Sequence, residues 1–120
     1  MTIQLVPSGN GTTSPPTTKS ALLALTSETL DTDNKGLRIG TLSITVVSAS
    51  FNSADATVVL QMSNNNSTWE NVVDGSLTIA TGSATQSLTP VTYLAMRYYR
   101  VVYTPNTNTA GTIQILANLL

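Results

Sequence analysis

The sequence predicts an all-β fold, an antiparallel β-sandwich of two sheets with seven or eight strands and an extended N-terminal arm. Apolar and polar residues alternate in several short segments, which is the period of strands with one face in a core. Turn-forming clusters of Gly, Pro, Asn and Asp separate these segments about every ten residues. Ser, Thr and Asn fill roughly a third of the chain, and their side chains compete with helical backbone bonds. The pattern leaves jelly-roll and immunoglobulin-like topologies open.

The domain organisation follows from length and composition. Residues 1–19 predict an extended N-terminal strand and arm, and residues 20–120 predict a single β-sandwich domain. A chain of 120 residues without cysteine is long enough to bury one core without disulfides. The N-terminus lacks the basic and apolar regions of a secretory signal, so we expect synthesis in the cytoplasm without export by that route.

The first segments alternate between a short strand and polar stretches. Thr2 to Val6 predicts a short strand, and Pro7 ends it. Residues 7–19 hold three of the five prolines, Pro7, Pro15 and Pro16, with few apolar residues. Such a stretch favours an extended arm, which at full length would reach on the order of 40 Å.

The next segments introduce the sandwich. Ser20 to Ser27 predicts a short, mostly buried strand, because eight residues are few for a helix. Leu30 to Gly36 predicts a connection rich in turns. Leu37 to Phe51 alternates well enough to predict a long strand, in which a phase shift at Gly40 and Thr41 indicates a β-bulge.

The remaining segments repeat the same alternation. Ala56 to Met62 predicts a strand, and the asparagines of residues 63–68 predict a turn with positive φ. Trp69 to Val73 predicts a short strand that Asp74 and Gly75 end in a turn. Further strands are expected in residues 77–80, 83–88, 96–104 and 111–120.

The composition argues against catalysis. Charged residues make up 9% of the chain, against about 25% in ordinary soluble domains. His and Cys are absent, which removes the commonest general base and the strongest nucleophile. We therefore expect no enzyme activity and no cofactor. Short polar side chains lose little entropy on packing against a neighbour, so the surface is typical of a protein that works in an assembly.

The charge pattern also bears on partners. The net charge is −1, and no basic stripe exists to replace the counterions of a nucleic acid. The longest apolar runs are four or five residues, against about 20 in a membrane span. We expect neither nucleic acid nor membrane as a partner.

The acidic residues offer two candidate sites. Residues 31–36 (DTDNKG) match the start of a calcium loop, but Lys35 and Leu42 stand where oxygen ligands are required. A polar turn is the favoured interpretation, and a weak calcium site of another kind stays open. The acids most suited to paired catalysis show no spacing that would bring two of them together: Glu28, Asp55, Glu70 and Asp74.

Aromatic residues supply the remaining candidates. Residues 97–100 (RYYR) and Tyr103 form the densest aromatic and basic cluster. The three tyrosines of this cluster could form an aromatic platform for sugars or bases together with Trp69. The members of this platform would be Trp69, Tyr98, Tyr99 and Tyr103. The favoured interpretation is a central strand with half-buried tyrosines, and Trp69 as a core anchor.

Residues 37–120 also carry a family resemblance. The matching segments are SASF at 48–51, ATVVLQMSN at 56–64, the NNSTW turn at 65–69, MRYYRV at 96–101 and GTIQI at 111–115. This chain resembles β-sandwich domains of tailed-bacteriophage virion proteins, which usually carry Ser-x-Asp-Gly-x-x-Trp at that turn. Here Asn65 and Asn66 replace Asp and Gly.

The resemblance implies a capsid decoration (cement) protein, or a minor head, neck or tail component, on the virion surface. Such proteins are often homotrimers that bind the major capsid protein or other virion proteins. The residues expected at interfaces are in the arm and at the C-terminus: Pro7, Pro15, Pro16, Leu119 and Leu120. The alternative is a carbohydrate-binding adhesion module of a phage tail or baseplate, with either Trp69 or the tyrosines Tyr93, Tyr98 and Tyr103 exposed.

Overall fold

The computed structural model describes residues 2–6, 18–32, 42–88 and 96–119. In these ranges the regular structure is entirely β, and ten strands form two antiparallel sheets that pack against each other. The two-sheet all-β sandwich predicted from the sequence is confirmed. Within the same ranges there is no helix long and apolar enough to cross a membrane.

The strands follow the predicted segments closely in the second half of the chain. Their bounds are β1 Thr2–Val6, β2 Lys19–Ser20, β3 Leu25–Thr26, β4 Leu30–Asp31, β5 Leu42–Phe51, β6 Thr57–Ser63, β7 Glu70–Thr78, β8 Gly82–Ser87, β9 Tyr98–Thr104 and β10 Thr112–Leu119.

The strand order is that of a jelly roll. The first sheet has the order β1-β10-β5-β8, and β2 continues the β1 side of β10. The second sheet has the order β3-β9-β6-β7, and β4 continues the β3 side of β9. With β1 and β2 counted as one interrupted strand, and likewise β3 and β4, the ten strands become eight. Successive strands then alternate between the sheets except at the β6–β7 hairpin. Of the two topologies left open by the sequence, this alternation identifies the jelly roll and not the immunoglobulin-like fold.

The core lies between the sheets and is filled by alternate residues of the long strands. Leu42 and Ile44 of β5 are fully buried, as are Ile113 and Ile115 of β10. Burying an aliphatic side chain of this kind contributes on the order of 1.5–3 kcal/mol. The alternation predicted for these two segments is therefore confirmed, although Gly40 and Thr41, where a bulge was expected, lie outside the described residues.

The strand predicted from Ser20 to Ser27 is wrong as a single element. β2 ends on the first sheet, and the chain then crosses to the second sheet, where β3 begins at Leu25. The crossing leaves Leu22 and Leu23 exposed at 48% and 78% instead of buried. Ala21 anchors it, since its N–H donates to the carbonyl of Gly111 at 3.0 Å. The apolar run has the composition of a strand, but the point at which the chain passes from one sheet to the other depends on strand partners far away in sequence.

The turn predicted at Asp74 and Gly75 is a bulge inside one continuous strand. Val59 lies opposite Ser76 and Gln61 opposite Asn71, so residues 72–75 of β7 stand opposite Leu60 alone. Asp74 has a φ of 58°, the conformation expected of a turn residue. The local chemistry was predicted correctly, but the strand resumes after it because β6 offers further partners.

The predicted N-terminal arm is flanked by two strands on one edge. Residues 7–17 lie outside the described residues, among them Pro7, Pro15 and Pro16. Val6 lies opposite Ile115, and Lys19 lies opposite Ile113 on the same β10. The predicted arm and its reach of about 40 Å therefore stay a prediction.

Candidate functional site

The outer face of the second sheet carries an arginine stacked on the only tryptophan of the chain. Alternation along β9 directs Tyr99, Val101 and Tyr103 into the core and leaves Arg100 on the outer face. The guanidinium carbon of Arg100 lies 4.1 Å from the centroid of the Trp69 ring. This distance is well within the range of cation–π attraction.

Neighbouring amide side chains orient the guanidinium. Arg100 Nε donates to Gln61 Oε1 at 2.8 Å, and Gln61 Nε2 donates to Asn71 Oδ1 at 3.1 Å. The register explains this chain of bonds, because Gln61 of β6 lies directly opposite both Arg100 of β9 and Asn71 of β7. Three adjacent strands thus each supply one side chain to the cluster of Trp69, Arg100, Gln61 and Asn71, which we call the Arg100 cluster.

The turn at residues 63–68 delivers Trp69 to this cluster. Asn65 Oδ1 accepts hydrogen bonds from the N–H groups of Ser67 and Thr68, at 3.0 and 2.8 Å. Asn66 has a φ of 58°, so the predicted positive φ is confirmed there. Asn65 therefore accepts the bonds that an aspartate would accept, and Asn66 adopts the conformation that glycine favours. The two residues that depart from the Asp-Gly pattern preserve its turn chemistry.

A second arginine on this side of the molecule differs from Arg100 in one respect. Arg97 donates to both carboxylate oxygens of Asp31, from Nε at 2.9 Å and from Nη2 at 3.0 Å. Its guanidinium also lies 5.0 Å from the centroid of the Tyr98 ring. Arg97 is thus neutralised by a bidentate partner. In the described part of the chain, Arg100 has no carboxylate partner, and its two Nη nitrogens make no hydrogen bond.

The structure buries two of the four residues of the predicted aromatic platform. Tyr99 is 1% exposed and Tyr103 is fully buried, so neither can meet a ligand on the surface. The reason is the pleat of β9, which turns every second residue into the core. Tyr98 and Trp69 remain, both half-buried and each beside an arginine. Trp69 is not among the buried core residues, which corrects its interpretation as a core anchor.

The one predicted interface residue within the described ranges is buried. Leu119 is only 2% exposed and lies opposite Leu42 in the core, so it cannot form an intermolecular contact. Its inward direction follows from the parity that it shares with Ile113 and Ile115. Leu120 and Tyr93 lie outside the described residues, as do the three prolines of the arm.

Acidic residues do not converge in the described ranges. No group of three or more Asp or Glu side chains there could hold a metal ion. Asp31, the first residue of the calcium-like sequence, is bound to Arg97, and residues 33–36 of that sequence lie outside the described part.

Asp55 has a structural role at one end of the sandwich. Its carboxylate accepts hydrogen bonds from the hydroxyl groups of Ser53 and Thr107, each at 2.7 Å. The bond from Thr107 ties the β5–β6 loop to the β9–β10 loop, whereas the bond from Ser53 lies within the β5–β6 loop. The bond from Thr107, more than that from Ser53, lowers the pKa of Asp55 below its ordinary value of 3.8. Asn52 adds a second tie, because its side-chain NH₂ donates to Thr109 Oγ1 at 2.7 Å.

The outer face of the first sheet is free of ionisable groups on its four long strands. Residue pairing in β1, β10, β5 and β8 identifies the outward side chains. They are Thr2, Gln4, Ser43, Thr45, Val47, Ala49, Thr85, Ser87, Thr112, Gln114, Leu116 and Asn118. We call this surface the charge-free face.

Its polar groups are largely satisfied by one another. Gln114 Nε2 donates to Gln4 Oε1 at 2.9 Å, and both side chains are nearly buried although they point outward. The hydroxyl oxygens of Thr45 and Ser87 lie 3.1 Å apart in a cross-strand hydrogen bond. The charge-free face was not identified from sequence, and of the Arg100 cluster only Trp69 and Arg100 were, because the positions of Gln61 and Asn71 depend on strand register. The alternating polar positions of β5 and β10 were the available signal for the face.

A third surface feature is the crossing between β2 and β3. Leu22 and Leu23 are exposed there. A shallow groove beside them is lined by Lys19, Ser20, Leu23, Ala24 and Leu25. It adds apolar surface at the edge formed by β2.

Comparison with protein-family models, curated proteins and solved structures yields no match to this chain. The resemblance to phage virion sandwiches therefore stays a prediction.

Proposed function

We propose that this protein is a non-enzymatic structural subunit of a virion, a capsid decoration protein that docks through its charge-free face. The observation that carries the proposal is the absence of ionisable side chains from the outward positions of β1, β10, β5 and β8. Its partner would be the major capsid protein or another virion protein, and a homotrimer on the capsid surface is the expected arrangement.

A surface without charge is easier to bury than a charged one. Interface centres are depleted of charged residues, because a charge removed from water without a partner is costly. Surfaces designed to stay soluble, in contrast, are given about 25–35% charged residues. Thr, Ser, Val and Ala also have few rotamers to lose on docking. A four-stranded face with no charge is therefore suited to burial against another protein.

The size of the molecule is adequate for such a contact. Its principal extents are 39, 30 and 24 Å, so a contact of the roughly 800 Å² per partner that stable complexes bury would use most of one broad side of the molecule. The exposed Leu22 and Leu23 would add apolar area at the edge of the same sheet. The jelly roll agrees with this role because the fold recurs in viral capsid proteins, although a fold alone does not decide a function.

A matched pair of valines tests the docking face. Val47 points outward from β5 in the first sheet, and Val59 points outward from β6 in the second sheet. Each is half-buried, so the stem of a lysine can extend to water at either position. The measurement is co-sedimentation of each purified variant with capsids that lack this protein.

We expect the unmodified protein and Val59→Lys to co-sediment, and Val47→Lys to remain in the supernatant while retaining a cooperative thermal transition. Co-sedimentation of Val47→Lys would reject the charge-free face as the docking surface. Failure of the unmodified protein to co-sediment would reject the decoration role itself.

A second candidate function is carbohydrate binding, as in an adhesion module of a phage tail or baseplate. It is favoured by the Arg100 cluster, in which an aromatic ring, amide groups and a guanidinium adjoin on the outer face of the second sheet. Jelly-roll domains include lectins as well as capsid proteins. The two candidates use opposite faces of the sandwich, so each can be tested without disturbing the other.

A further inference from the structure

Arg100 is set up as a recognition group. We propose that the Arg100 cluster binds one carboxylate of an acidic saccharide, such as a uronic acid. This inference rests on the carbohydrate-binding candidate and names its ligand class. The observation that carries it is the contrast between Arg97, which is paired with Asp31, and Arg100, which has no carboxylate partner among the described residues.

The guanidinium of Arg100 is already oriented before a ligand binds. The bond from Arg100 Nε to Gln61 and the stack on Trp69 hold the guanidinium on two sides. Both Nη nitrogens are left without a partner in the described structure, and a planar fork of N–H donors matches the two oxygens of a carboxylate. A side chain that is already oriented loses less entropy when the ligand arrives.

The number of cations on this face limits the class of ligand. The basic residues within the described ranges are Lys19, Arg97 and Arg100. Lys19 belongs to the first sheet, and Arg97 is neutralised by Asp31. The outer face of the second sheet thus offers one unpaired cation there. A nucleic acid requires several cations along its phosphates, whereas one cation suits a ligand with an isolated carboxylate.

The groups around Arg100 favour a saccharide over a protein carboxylate. One face of the Trp69 ring is already covered by the guanidinium, so the preference for a saccharide comes from its hydroxyl groups. These can bond to amides, and Gln61 and Asn71 supply amides next to the guanidinium. The cluster also lies on the sheet opposite the charge-free face, so it stays accessible if the protein docks through that face.

The experiment uses the fluorescence of Trp69, which reports on this site alone because the chain has no other tryptophan. The probes are oligogalacturonate, the same oligomer with its carboxylates methyl-esterified, and a short acetylated peptide containing one aspartate. Calorimetry provides a second readout that is independent of the indole ring. We expect saturable binding of oligogalacturonate, and binding of the ester and the peptide weaker by about tenfold or more.

Two arginine variants complete the test. Arg100→Gln should weaken oligogalacturonate binding by about tenfold to a hundredfold, as expected for loss of a charge-assisted contact. Arg97→Gln is the matched control. The affinity of this variant for oligogalacturonate should stay within about twofold of that of the unmodified protein, because exposed ion pairs contribute little. Unchanged affinity in Arg100→Gln would overturn the proposal.

The ligand arms separate the possible failures. Equal binding of the acid and the ester would reject the carboxylate but retain carbohydrate binding. Binding of the peptide alone would reject a saccharide in favour of a protein carboxylate. No binding of either oligosaccharide would reject this inference, and would leave the decoration role to its own test.

Discussion

The hydroxyl group of Tyr103 donates a hydrogen bond to the carbonyl oxygen of Ala21 at 2.7 Å. This bond joins the fully buried end of a β9 side chain to the crossing between β2 and β3. The Tyr103 ring also lies edge-on to Phe51, with 6.3 Å between ring centroids. One residue thus packs between the sheets and fixes the path of the chain from one sheet to the other.

Tyr103→Phe is expected to lower the free energy of unfolding by about 1–2 kcal/mol. The ring would still fill its place, but the buried carbonyl of Ala21 would lose its shortest hydrogen bond. Urea unfolding followed by tryptophan fluorescence measures the change. Tyr98→Phe is the control, because Tyr98 lies on the outer face of the sheet, and its effect should stay within about 0.5 kcal/mol.

The same residue predicts a loss of stability in alkaline solution. Burial raises the pKa of Tyr103 above its ordinary value of 10.0, partly offset by the hydrogen bond from Asn108. A pKa higher in the folded than in the unfolded state favours folding fully below about pH 10, and this contribution is lost as the pH rises towards the folded pKa. Stability measured from pH 8 to pH 11 should fall less steeply in Tyr103→Phe. Parallel curves for the two proteins would contradict this assignment.

Asp55 predicts the corresponding effect in acid. Its hydrogen bonds, first that from Thr107 and then that from Ser53, lower the pKa below 3.8. A pKa lower in the folded state stabilises the protein above the unfolded value, and the contribution is lost as the pH falls through the folded pKa. Thr107→Ala removes the hydroxyl donor and should move the pKa of Asp55 upward. Carbon NMR titration of the Asp55 carboxyl measures both values, and an unchanged pKa would show that Thr107 does not bind this carboxylate.

Two glycines with similar backbone angles separate steric overlap from dihedral strain. Gly82 and Gly111 have φ values of 86° and 93°, which are unfavourable for any residue with a side chain. A β-carbon on Gly82 would meet no atom within 4 Å, whereas one on Gly111 would overlap the carbonyl oxygen of Ala49. Gly82→Ala should cost about 1–2 kcal/mol from φ alone. Gly111→Ala should cost about 1–3 kcal/mol more, and equal melting temperatures would contradict the difference.

The alternation of apolar and polar residues was sufficient to predict β5, β6, β9 and β10. It also identified which residues share a face, since Tyr99, Val101 and Tyr103 have one parity. It did not determine which parity is inward, because both sides of a central strand carry large side chains. A surface role was therefore predicted for Leu119 and stayed an alternative for Tyr103, whereas the packing of the second sheet against the first buries both side chains.

The sequence by itself determined the all-β class, the alternating long strands and the Asn-rich turn before Trp69, because these depend on residues close together in the chain. The tertiary structure alone decided the jelly-roll order, the crossing at Ala21 and the membership of both candidate surfaces. Gln61 and Arg100 are 39 positions apart, and the charge-free face combines strands from both ends of the chain. Such neighbours are set by strand register, which long-range pairing between sheet strands fixes and which no local pattern encodes.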